Sequence, residues 1–142
     1  MEGFGVHTSM WTMHWDPAGA ARAIEAAKHW GMDFIEIALL DPPSCDAEGS
    51  RKMLDVAELP AVCSLGLPEA YWPSHNPDGA VEFLRVAVEK CAGMGAQALT
   101  GVTYGGIGER SGLPPTQAEL DSVARALGDV AKIAKAHGVL FG

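Results

Sequence analysis

Short apolar runs alternate along the chain with segments of helical period, and glycine or proline marks most of the junctions. Phe4 to Met10 predicts a first strand. Asp16-Pro17 predicts a helix start, with Asp16 as N-cap and Pro17 at the first helical position, where a missing N–H costs nothing. Ala20, Ile24 and Ala27 recur at helical spacing, Lys28 and His29 suit the C-terminal end, and Gly31 stops the helix. Phe34 to Ala38 predicts a second strand, Asp41 to Ser44 a turn, and 46–58 a short helix. Pro60 to Leu65 predicts a third strand and Gly66 to Pro73 a loop. Asn76-Pro77-Asp78 repeats the cap-then-proline device and opens a helix running to Met94, closed by Gly95. Ala98 to Val102 predicts a fourth strand. Thr116-Gln117-Ala118-Glu119 is a capping box, and its helix runs to His137 before Gly138. The segment Gly138 to Gly142 reads as the start of a fifth strand.

Helix-Gly-x-x-strand thus occurs three times, at Gly31, Gly95 and Gly138. Strand cores such as Phe34–Ala38 and Ala98–Val102 are mostly apolar on both faces, as parallel strands covered by helices are. An open doubly wound sheet and a (β/α)8 barrel both fit this order. The barrel needs about 250 residues, against the 142 present here. An apolar strand is an unfavourable place for a domain to end, because its backbone groups need neighbours. Residues 1–142 therefore read as the first half of a larger βα protein, four βα units and the start of strand five, with both architectures still open. No linker or low-complexity segment divides them.

The first βα connection, Thr8 to Trp15, has no glycine-rich phosphate turn, which argues against a dinucleotide site. Gly101-x-x-x-Gly105-Gly106-x-Gly108 lacks both the P-loop lysine and the dinucleotide spacing. It reads either as an active-site loop or as a plain connection. The net charge of −8 argues against nucleic acid and anionic membranes. No basic n-region with an apolar h-region opens the chain, and no apolar run approaches the ~20 residues of a membrane span. Cys45, Cys63 and Cys91 match neither a disulfide framework nor a C-x-x-C metal site, so a reducing, cytoplasmic setting is expected.

Several side chains carry candidate chemistry. Glu36 alternates with Ile35 and Ile37, so it is predicted to face a barrel interior while they face helices. An interior carboxylate demands a partner. It either shapes a site floor or holds a structural ion pair or hydrogen bond. His7 reads as a hydrogen-bonding partner for a bound molecule or as a satisfied core histidine. His14 and Asp16 look like a metal pair, but the cap explains Asp16 better. Trp11 and Trp15 suit stacking on a bound molecule as well as plain packing. Glu109 and Arg110 read as a solvated loop, His75 as surface, and Cys63 as a small buried apolar residue.

Four segments occur in order: Gly5-Val6-His7-Thr8-Ser9-Met10-Trp11-Thr12-Met13-His14-Trp15, Gly31-Met32-Asp33-Phe34-Ile35-Glu36-Ile37, Cys63-Ser64-Leu65-Gly66-Leu67 and Leu99-Thr100-Gly101-Val102-Thr103. Together they resemble the D-tagatose/D-psicose 3-epimerase family, within the xylose isomerase-like sugar isomerase/epimerase barrels. The resemblance covers essentially the whole chain, as the first half of a family member, and it implies the N-terminal half of a (β/α)8 TIM barrel: four βα units and the start of strand five. It implies a metal-dependent isomerase that moves a proton at C3 of a ketose through an enediolate. It also implies one divalent metal, Mn2+ or Co2+ or else Mg2+, held by two glutamates, an aspartate and a histidine. Oxygen ligands suit a hard cation that polarises a carbonyl, and a carboxylate on each face of the carbon can remove and return the proton.

By the same resemblance the metal and catalytic residues would all follow Gly142, so none is expected within this chain. The substrate-side wall implied is His7, Trp15, Ser64, Gly101, Val102 and Thr103, joined by Glu36 from the alternation argument. Barrel sites form at the C-terminal ends of strands, where these positions fall. Several members of that family carry an aromatic residue where His7 stands. The expected partners are a sugar and, as a homo-oligomer, further copies of the chain. A non-catalytic, self-associating half-barrel is the alternative, since open edge strands drive pairing. Hydroxypyruvate isomerase and inosose dehydratase chemistry are further alternatives, and the acidic charge disfavours an endonuclease of the same superfamily.

Overall fold

The computed structural model describes residues 3–108 and 112–142. Strands and helices alternate through these residues: β1 (Gly5–His7), α1 (Pro17–His29), β2 (Phe34–Ala38), α2 (Ala47–Ala57), β3 (Ala61–Gly66), α3 (Pro77–Gly93), β4 (Ala98–Val102), α4 (Gln117–Ala136) and β5 (Leu140–Phe141). All neighbouring strands pair in parallel, in the spatial order β1-β2-β3-β4-β5. A doubly wound sheet reverses its order at a switch point. The unbroken sequential order is instead that of half a (β/α)8 barrel.

Caps start the helices where the sequence places them. Asp16 accepts the Gly19 N–H at 2.8 Å, Asp46 the Gly49 N–H at 2.9 Å and Asn76 the Gly79 N–H at 3.1 Å. Thr116 and Glu119 close the full reciprocal box at α4. Such caps satisfy donors that the first helical turn leaves without partners.

Strand β1 is shorter than the apolar run predicts. It stops at His7, and Thr8–Met10 form a 3₁₀ turn. The turn wins because Thr8 offers its carbonyl to the N–H groups of Trp11 (2.9 Å) and Thr12 (2.8 Å), while His7 Nδ1 takes the Ser9 N–H. The stretch predicted as loop from Gly66 to Pro73 likewise holds a single 3₁₀ turn at Glu69–Tyr71. Glu109 and Arg110, read as a solvated loop, lie outside the described residues.

Alternation along the strands sorts side chains onto two faces. Ile35, Ile37, Cys63, Leu65 and Leu99 are buried beneath the helices, against Ala23, Ala27, Leu54, Leu84, Val88 and Cys91. Each fully buried isoleucine contributes about 1.5–3 kcal/mol through apolar area removed from water. The opposite, barrel-lining face carries the partly exposed Phe34, Glu36, Val62, Thr100 and Val102. Side chains also lock neighbouring units together. Lys90 Nζ donates to the Cys45 carbonyl at 2.7 Å, Ser122 Oγ to the Pro73 carbonyl at 2.7 Å, and Arg125 pairs with Asp78 at 3.1 Å.

Candidate functional site

The register assembles rows of side chains on the barrel-lining face. His7 lies beside Glu36, and Glu36 beside Val62. One layer nearer the C-terminal ends, Ala38 lies beside Ser64 and Ser64 beside Thr100. Val102 pairs with Gly66 at the rim, and the buried Thr103 follows it. His7, Glu36, Ser64 and Val102 thus fall on the barrel-lining face, toward the end of the sheet where barrel sites form, while Thr103 is buried just beyond the end of β4. Gly101 differs, because it occupies a helix-facing position beside Leu65. Its φ is +126°, and a Cβ there would stand 2.1 Å from the Leu65 carbonyl oxygen. Gly101 therefore sets the close approach of β3 and β4 rather than presenting a group to the lumen.

His7 has a defined hydrogen-bonding state. Its Nδ1 accepts the Ser9 N–H at 3.1 Å and lies 2.6 Å from Ser9 Oγ. A ring nitrogen that accepts leaves the proton on Nε2, which makes the far side of the imidazole a donor. Glu36, in register with it, is partly exposed, and its carboxylate has no hydrogen bond or ion pair among the described residues. The interior partner that burial would demand is absent because the carboxylate is not fully removed from water.

Trp15 stands apart from this row, in the β1–α1 connection. It lines a cleft of about 760 Å³ between the first and second βα connections, with His14, Asp16, Ala38, Leu40, Asp41 and Met53 among its walls. Ala38 belongs both to the cleft and to the row containing Ser64, so the two surfaces adjoin there. The Trp15 indole N–H donates to Ser50 Oγ at 2.9 Å, and the Ser50 hydroxyl donates to the Asp46 carbonyl at 2.6 Å. Trp11 packs partly buried against the core. Asp16 serves as the α1 cap, its carboxylate engaged by Gly19.

On the far side, Trp72 donates its indole N–H to the Leu67 carbonyl at 3.1 Å. Gly106 of the glycine-rich loop rests directly on that indole, where an added Cβ would come within 2.0 Å of the ring. The loop is thus seated on Trp72 at the C-terminal rim. Ser50, Thr8, Ala38 and Trp72 all shape this end and were missed in the sequence. A serine in a first helical turn and a threonine after a strand carry no periodic signal. Trp72 sits in a stretch that reads only as loop.

The described residues do not fit the divalent metal implied by the resemblance. Among the described residues no group of three or more His, Cys, Asp or Glu side chains could hold an ion. On the barrel-lining face His7 and Glu36 are the candidate donors, and His7 Nδ1 is already committed to Ser9. Burial raises the Cys45 thiol at the edge of the cleft above its ordinary range.

No family model matches the chain. Comparison with characterised proteins is decisive instead. An L-ribulose 3-epimerase of Methylomonas sp. (strain DH-1) is 35% identical over 125 residues, covering 85% of this chain and 44% of that protein. The chain is a homologue of the ketose 3-epimerases. A ketose 3-epimerase of Arthrobacter globiformis is 32% identical over 139 residues, covering 95% of this chain and 48% of that protein. A D-allulose 3-epimerase from Methylomonas sp., solved in complex with D-allulose, superposes with a TM-score of 0.91 at 31% identity, covering 98% of this chain and 49% of its own. The chain therefore spans about half the length of the epimerases it matches. No helix among the described residues is long and apolar enough to cross a membrane.

Proposed function

We propose that residues 1–142 form the substrate-side half of a ketose 3-epimerase, an isomerase that inverts C3 of a ketose sugar. One observation carries this reading: 98% of the chain follows the fold of a D-allulose 3-epimerase with a TM-score of 0.91. The two surfaces that meet at Ala38 supply contacts of the kind a sugar needs. His7 Nε2–H, Ser64 and Thr103 offer polar groups, Val102 an apolar one, and Trp15 an aromatic face for C–H groups. In this reading Glu36 lines the lumen floor, and Gly101 places β4.

The acid/base carboxylates and the metal site belong, on this reading, to residues outside this chain, so no catalytic step is assigned to the residues described. The whole protein would be cytoplasmic and homo-oligomeric, with Mn2+, Co2+ or Mg2+ as its cation. The test uses the protein purified at its native length. D-fructose, D-tagatose, D-allulose and L-ribulose are each incubated with it and each of the three cations, and the products are resolved by chromatography. The C3 epimer of at least one ketose is expected. A native mass near that of this chain alone, with no epimer from any ketose, overturns the reading.

A self-associating half-barrel is the second reading. It is favoured by the outward Leu140 and Phe4, which are 72% and 83% exposed beside the two sheet edges. The same mass measurement separates the two.

A further inference from the structure

The cleft wall contains one ring that is hydrogen-bonded from a neighbouring βα unit. Trp15 belongs to the β1–α1 connection, and Ser50 lies in the first turns of α2. Three facts define the link between them. The indole N–H meets Ser50 Oγ at 2.9 Å. The Ser50 proton is already committed to the Asp46 carbonyl at 2.6 Å. Ser50 is 7% exposed, so water competes little for its oxygen.

A hydroxyl can rotate to suit whatever faces it. Once its proton is held by Asp46, its lone pairs are directed, and one of them meets the indole. Donating to Asp46 also makes the oxygen a better acceptor. Asp46 is itself fixed, since its carboxylate caps α2 on the Gly49 N–H at 2.9 Å. The chain of bonds therefore runs from the α2 N-terminus through Ser50 to the Trp15 ring. Tryptophan turns about only two side-chain bonds, so a single hydrogen bond at Nε1 suffices to select its orientation. Trp15 is the large aromatic ring in the wall of the 760 Å³ cleft.

We propose that Ser50 is a positioning residue that holds the Trp15 ring in the orientation that binds the sugar. This rests on the epimerase reading above. It adds a residue that touches no substrate and acts through another side chain. A bond that merely satisfied a buried indole would affect stability and leave substrate affinity alone. The positioning role predicts a change in KM.

The test compares wild type with S50A, S50T and W15F in the protein at its native length. S50A is expected to raise the KM for the ketose about three- to tenfold, the scale of one net hydrogen bond, with kcat changed less than about twofold. S50T keeps the hydroxyl and restores KM. The indole 15N–1H resonance of Trp15, assigned by its loss in W15F, is expected to shift and to exchange faster with solvent in S50A. Adding S50A to W15F is expected to raise KM no further, because the ring being positioned is gone. An active wild type whose KM is unmoved by S50A overturns the positioning role alone, whatever the resonance does. A wild type inactive on every ketose overturns the epimerase reading, and the positioning role with it.

Discussion

Thr8 Oγ1 accepts the backbone N–H of Ala38 at 3.0 Å, so a side chain takes over the β1–β2 ladder where the backbone of β1 turns away. Thr8 is 1% exposed and Ala38 3% exposed, so neither group has water as a substitute. Thr8→Val keeps the shape and removes the acceptor. It is expected to cost about 1–3 kcal/mol, the penalty for a buried donor left without a partner. Urea unfolding measures the loss, and faster hydrogen exchange at the Ala38 amide locates it. Thr8→Ser should retain most of the stability.

Two glycines should respond to alanine in opposite directions. Gly101→Ala meets a φ of +126° and the Leu65 carbonyl 2.1 Å from the new Cβ. Backbone strain of this kind costs about 1–3 kcal/mol before any steric displacement is added. Gly128 lies within α4, is exposed, and a Cβ there meets nothing within 4 Å. Gly128→Ala is expected to stabilise by about 0.4–1 kcal/mol. Thermal or urea midpoints of the two variants decide both.

Cys63 links stability to alkaline pH. A hydrogen-bonding contact with the Cys91 thiol, then burial, holds the Cys63 thiol well above its ordinary range. The folded state therefore keeps a proton that the unfolded chain releases above about pH 8.5. Stability from this group is fully present below that value and falls as pH rises toward the folded value. Urea midpoints are expected to decline between about pH 8 and pH 10, and the decline should be shallower in Cys63→Ala.

The α4 capping box gives the opposite dependence. Hydrogen bonds from the Thr116 backbone N–H (2.7 Å) and hydroxyl lower the Glu119 carboxyl. Its contribution is present above the ordinary glutamate value of about 4.3 and is lost as pH falls through the lowered folded value. Glu119→Gln should therefore be less stable than wild type at neutral pH. The gap in denaturation midpoint should close on acidification.

The architecture was legible because local signals agreed with one another. Asp16, Asp46, Asn76 and Thr116 announce their helices by chemistry that depends on the nearest three residues. The sequence leaves barrel and doubly wound sheet both open, since only strand order in space separates them. Phe4 to Met10 misleads because nothing in its local pattern marks the point where Thr8 redirects its carbonyl and hydroxyl. The candidate site was legible where alternation governs it, as at Glu36. It was illegible at Ser50, whose role comes from a partner 35 residues away. Gly101 resembles a site residue from its motif, yet tertiary crowding against Leu65 explains it.

The alternation of Ile35, Glu36 and Ile37 has a consequence for assembly of the sheet. Shifting β2 by one residue against β1 and β3 would turn Glu36 under the helices, among Ala23, Leu54 and Leu84, and push both isoleucines into the lumen. Burying an unpaired carboxylate there costs more than the loss of any single apolar contact. A one-residue slip of β2 is therefore disfavoured twice over, by the carboxylate it would bury and by the two isoleucines it would expose.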